Sequence, residues 1–158
     1  MARRSAQFDL APLPPLSKWL GFAGLIPQIA LAAAAATGPR DLTIAAMRLA
    51  LCYSALILSF IGGAWWGLAA QPAKRARSWM WLVAVAPSLV AFGALGTLVL
   101  DRTPAPGLAV TGAALIFALA IDYKLAKNGW CPCGWLRLRM PLSLGLGSLT
   151  LLIATLGP

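Results

Sequence analysis

Residues 42–70, LTIAAMRLALCYSALILSFIGGAWWGLAA, decide the fold: Arg48, near the start, is the one charged residue in the stretch. Crossing the hydrocarbon core of a bilayer takes about 20 largely apolar residues at 1.5 Å rise each. This stretch is longer than that, so its helix should tilt or project. The rest of the chain has the same character, with 158 residues that are 60% hydrophobic, 11% charged, and free of histidine and glutamate. Too few polar side chains remain to cover a soluble globule of that size.

Working outward, residues 16–37, 78–100, 107–123 and 138–157 also meet the length and apolarity test. Gly38-Pro39-Arg40-Asp41, Gln71 to Arg77, Asp101 to Pro106, and the stretch from Asp122 to Arg139 separate the spans with charge, proline and glycine. The reading is an all-α integral membrane protein: five transmembrane helices in a single bundle over residues 16–157, behind a short basic, proline-rich segment, residues 1–15. Residues 107–123 are the shortest span, so Asp122 and Tyr123 belong at headgroup depth.

An odd number of spans puts the termini on opposite sides. Arg3, Arg4, Lys18, Lys74, Arg75, Arg77, Lys124, Lys127, Arg137 and Arg139 then share a side, against Arg40, Arg48 and Arg102 on the other. The excess of positive charge on cytoplasmic loops predicts a cytoplasmic amino terminus and an outside carboxyl terminus. All seven tryptophans, Trp19, Trp65, Trp66, Trp79, Trp81, Trp130 and Trp135, fall on that same side. A net charge of +9 spread over short juxtamembrane loops suits anionic lipid headgroups rather than nucleic acid. Arg3 and Arg4 before an apolar stretch resemble a signal peptide, but the stretch is too long. A mitochondrial presequence fits poorly beside Asp9 and three prolines, so the expected location is a bacterial inner membrane, with the mitochondrial inner membrane as alternative.

Several residues depart from a generic span. Pro27 and Pro87 should each bend a helix and loosen a carbonyl one turn back, with Gln28 and Ser88 beside them as polar partners. Gly62, Gly63 and Gly67 are small residues within one span, and Gly63 to Gly67 forms a GxxxG element expected to pack helices. Belt anchoring explains Trp19, Trp79 and Trp81 at helix starts, whereas Trp65 and Trp66 are adjacent and diverge by about 100° on a helix. Together with Trp130 and Trp135 on the facing loop they mark a ligand or partner face. Asp122, at the end of a span, is expected to pair with a nearby base, Arg137 or Arg139 being candidates across the loop.

Chemistry is thinly represented. Cys131-Pro132-Cys133 offers two thiols without a histidine, and Cys52 lies inside a span, so neither a structural metal site nor a stable disulfide is expected. No nucleophile–base pair, Walker loop or dinucleotide pattern is present, and neither a catalytic activity nor a cofactor is expected.

The segments Leu20 to Pro27, Tyr53 to Gly67, Ala86 to Leu89 and Trp135 to Arg139 resemble, in order, the domain of unknown function 3429 family, which includes proteins similar to animal transmembrane protein 69. The stretch Ile57 to Gly67 carries the resemblance most specifically. One departure stands out, because the family pattern has a histidine where this sequence has Trp65. The resemblance implies a small multispanning membrane protein and no particular activity. Tryptophan-rich sensory proteins offer an architectural likeness only, a five-helix bundle able to hold an apolar ligand. The expected function is that of a noncatalytic accessory or assembly subunit packed against a larger membrane complex. The alternative is a binding module for a lipid, quinone or other apolar ligand, ahead of a small transporter.

Overall fold

The computed structural model describes residues 14–71, 77–100 and 103–156. Arg3, Arg4, Lys74, Arg75 and Arg102, and with them most of the expected amino-terminal segment, lie outside the described residues. The helices are α1 (Pro15–Ala23), α2 (Ile26–Thr37), α3 (Arg40–Ala69), α4 (Ser78–Leu100), α5 (Ala105–Lys127) and α6 (Trp135–Thr155). With α1 and α2 counted together as Leu16–Thr37, five helical segments are long and apolar enough to cross a membrane.

The helical ladder of the first span is interrupted between α1 and α2, at Gly24 and Leu25, although both stay in the right-handed helical region. Pro27 has no N–H, so the Ala23 carbonyl loses its helical donor. The chain tightens in front of it, with Gly24 N–H on Leu20 and Gly21 carbonyls and Leu25 N–H on Phe22. The hydroxyl of Tyr53 on α3 donates to the Gly24 carbonyl at this break. Gln28, expected beside the loosened carbonyl, is instead fully buried and donates through Nε2 to Thr150 Oγ1 at 2.9 Å.

At Pro87 the outcome differs, because α4 continues through the proline without interruption. Gly62 of α3 lies against this point, so close that a Cβ there would stand 2.5 Å from the Ala84 carbonyl oxygen. Ser88 bonds across to Ser59 of α3 at 2.9 Å. Gly63 and Gly67, the two ends of the GxxxG element, have nothing within 4 Å, so within the chain the close approach runs through Gly62 and the element itself faces outward. A second close approach joins α5 to α6, where Gly112 and Gly147 would each place a Cβ 3.0 Å from the other's carbonyl oxygen.

α3 packs against α2, α4, α5 and α6. It runs parallel to α5 in a fixed register: Ser54 bonds Thr111 and Trp65 bonds Asp122, both pairs 57 residues apart. The two contacts are separated by about three helical turns, which returns them to one face. Thr111, Thr150, Thr43 and Ser54 also bond backbone carbonyls. Buried hydroxyls in lipid must find such partners, because no water is present to supply them.

Apolar side chains cover the outside as well as the core. Phe92 is 79% exposed, Val99 80% and Phe117 70%. A helix apolar on every side belongs in lipid, and the chain is a multi-pass membrane protein. α5 runs to Lys127 and α6 starts at Trp135, beyond the expected limits of 123 and 138. Lys124 and Lys127 complement the carboxyl-terminal dipole of α5, and Gly134, with φ 84°, lets the loop turn directly into α6. All seven tryptophans gather at the end of the bundle where α3 and α5 finish and α4 and α6 begin.

Candidate functional site

At the tryptophan end, Asp122 has no exposure to solvent. Its Oδ1 accepts from Trp65 Nε1 at 2.9 Å and from Trp135 Nε1 at 3.0 Å, and its Oδ2 accepts from Arg139 Nε at 2.8 Å. One carboxylate therefore joins α3, α5 and α6. Helical spacing explains the choice of partners. Trp135 and Arg139 are four residues apart and share a face of α6, whereas Arg137 lies between them, faces away and is exposed. Arg137, expected as an alternative base, is not among the partners of Asp122. Lys124, two residues along α5, also points elsewhere, its ammonium sitting 4.4 Å from the centre of the Trp79 ring.

The tryptophans thus divide by role. Trp65 is buried, 4% exposed, as a donor inside its own bundle. Trp66 is 48% exposed and packs edge-on against Trp81, with ring centres 4.8 Å apart. Trp130 packs partly buried against the core, and Trp19 is exposed on α1. The expected single tryptophan face is therefore split into an internal cluster around Asp122 and an external pair. Neither indole donor to Asp122 titrates, and the chain has no histidine.

Beside this cluster is an apolar cavity of about 170 Å³, walled by α1, α3 and α6 and floored by Leu115 of α5. Leu20, Phe60, Ile61 and Leu142 line it, and Arg139 and Ser143 are its two polar side chains among the described residues. The same four apolar residues and Arg139 continue into a groove of about 480 Å³ that reaches Ser17, Ala64 and Trp135. Two polar atoms at this wall, Arg139 Nη2 and Ser143 Oγ, are buried without a hydrogen-bond partner. α1 meets α6 at Gly21, where a Cβ would stand 3.0 Å from Leu142 Cδ1.

Over residues 13–156 the chain matches the family described as "Protein of unknown function (DUF3429)". The chain belongs to this family. The match takes in every residue of the Asp122 cluster and of the cavity wall. The DUF3429 family is of unknown function, so membership assigns these residues no role. Neither curated proteins nor solved structures give a match.

The remaining candidates are simpler. Cys131 is buried, Cys133 exposed and Cys52 half-buried, and none of the three is joined in a disulfide. Among the described residues no group of three or more potential metal ligands comes together. Asp122 and Arg139 are legible as site residues in the sequence, and Ser143 is less so. Its signal was the spacing of Trp135, Arg139 and Ser143 at successive fourth positions, which puts two donors and an indole in a row along one face of α6.

Proposed function

We propose that this chain is a noncatalytic membrane binding module that holds an apolar or amphipathic molecule in the groove between α1, α3 and α6. The observation that carries this reading is the continuity of the groove with the inner cavity, an apolar channel with two polar side chains at one point of its wall. Ligand sites are commonly concave, mostly apolar and fitted with a few convergent polar groups, at volumes of about 300–1,000 Å³. The groove extends from the level of Trp135 inward, which suits a molecule that enters sideways from one leaflet.

The test is native mass spectrometry of the full chain released from mild detergent, beside Ala64→Trp, which places a large ring in the outer groove. The expected result is one bound small molecule per chain in the wild type and its loss in the variant, with helicity by circular dichroism unchanged. A wild-type chain that carries nothing, and whose tryptophan fluorescence shows no saturable quenching by amphiphiles, would overturn the reading.

A second reading is the accessory subunit, supported by Gly63 and Gly67 of α3 and Gly93 and Gly96 of α4, which have open space where a Cβ would be. Such positions admit another backbone closely. A stoichiometric protein partner recovered with the chain, lost in Gly63→Leu, is the result that favours it.

Both readings place the tryptophan end in the cytoplasm, supported by Lys18, Arg77, Lys124, Lys127, Arg137 and Arg139 there against Arg40 and Arg48 at the opposite end. In sealed right-side-out vesicles a membrane-impermeant maleimide should then fail to label the chain, and after lysis it should label exposed Cys133 well before buried Cys131. Labelling of Cys133 in the sealed vesicles would invert the orientation.

A further inference from the structure

Ser143 is unlike the other buried hydroxyl residues of the described chain. Thr43, Ser54, Thr111 and Thr150 each find a partner in a backbone carbonyl or a neighbouring hydroxyl, whereas Ser143, 2% exposed, has none. One turn back along α6, Arg139 spends its Nε on Asp122 and leaves Nη2 buried and unpaired. Residues four apart on a helix lie about 5–6 Å from one another at Cβ. Both side chains line the same apolar cavity. Unmade hydrogen bonds of this kind are costly away from water, and two together at a cavity wall point to an acceptor supplied from outside the chain.

The charge at the site restricts what that acceptor is. Asp122 and Arg139 form a buried ion pair, and their formal charges cancel. Among the described residues Arg139 is the one charged residue lining either the cavity or the groove. An anionic head placed there would leave a net negative charge in a low-dielectric site with no further cation among the described lining residues to balance it. A neutral carbonyl oxygen accepts from both donors and adds no charge. The apolar walls along Leu20, Phe60, Ile61 and Leu142 suit a hydrocarbon or ring behind it.

Resting on the binding-module reading above, we propose that the molecule held is a charge-neutral amphiphile whose carbonyl oxygen accepts hydrogen bonds from Arg139 Nη2 and Ser143 Oγ. Acyl esters, amides and quinones share this chemistry. A carboxylate or phosphate headgroup does not.

The test uses the full chain in a neutral detergent with three probes, 1-monooleoylglycerol, decylubiquinone and oleate above its pKa, followed by saturable quenching of tryptophan emission and by native mass spectrometry. At least one neutral probe should bind with a Kd at least tenfold below that of oleate; which one distinguishes an acyl ester from a quinone. Ser143→Ala removes an unpartnered hydroxyl, so the thermal midpoint should stay or rise while Kd for the neutral probe weakens by about tenfold. Tighter binding of oleate, or a Kd that Ser143→Ala leaves unchanged, would overturn the carbonyl assignment while the binding module stands. The absence of saturable binding by any of the three would overturn both.

Discussion

Asp122→Ala should cost about 3–5 kcal/mol of stability, the largest loss expected from any single substitution in the chain. The change leaves the Arg139 charge buried without its carboxylate and strands the indole N–H groups of Trp65 and Trp135. Hydrogen bonds between membrane helices average only about 0.6 kcal/mol, so most of the loss comes from the uncompensated charge rather than from the bonds themselves. That separation is testable. Arg139→Met should cost less than Asp122→Ala, because the carboxylate keeps both indole donors, and Asp122→Ala combined with Arg139→Met should recover much of the single-variant loss. Thermal unfolding of the detergent-solubilised chain, followed by size-exclusion recovery, gives the comparison. An additive double variant would mean that the pair contributes as two separate residues and would remove the cluster's claim to be a unit.

Gly62→Ala comes second, at about 1–3 kcal/mol. The added methyl would meet the Ala84 carbonyl oxygen at 2.5 Å and Pro87 at 3.4 Å, and neither is a flexible side-chain end that can give way. α3 and α4 must then separate, which also disturbs the Ser59–Ser88 bond. Gly63→Ala and Gly67→Ala should leave the thermal midpoint within measurement scatter, since each methyl enters open space. Equal effects at all three positions would contradict the packing of α3 on α4 described above.

The number of helices was legible because length and apolarity suffice to define a span, and residues 42–70 had both in excess. Which face each helix presents was less legible. In a soluble protein the contrast between apolar and polar positions marks the core, but here Leu51, fully buried, and Phe60, 71% exposed, belong to one equally apolar stretch of α3. Gly62 and Gly63 illustrate the same difficulty, since neighbouring glycines carry no label for inside and outside and the literal GxxxG pattern selects the outward one. Asp122 was easier, because a lone carboxylate near bases demands a partner. Its choice of Arg139 over Arg137 depends on the starting phase of α6, which Gly134 sets. The vacant donors at Arg139 and Ser143 follow from what is missing around them, and no sequence pattern records that.

The break at Gly24 and Leu25 assigns cohesion and access to different helices. Among the described residues none of the buried side chains that make up the two apolar cores comes from α1, although α1 supplies one wall of the cavity. The core begins on the far side of the break, at Gln28 and Ala32, and Tyr53 ties the junction to α3. The wall nearest the lipid thus stands apart from both cores, so the guest of the proposed binding module would be accommodated at α1, whatever its girth, without disturbing the bundle behind it.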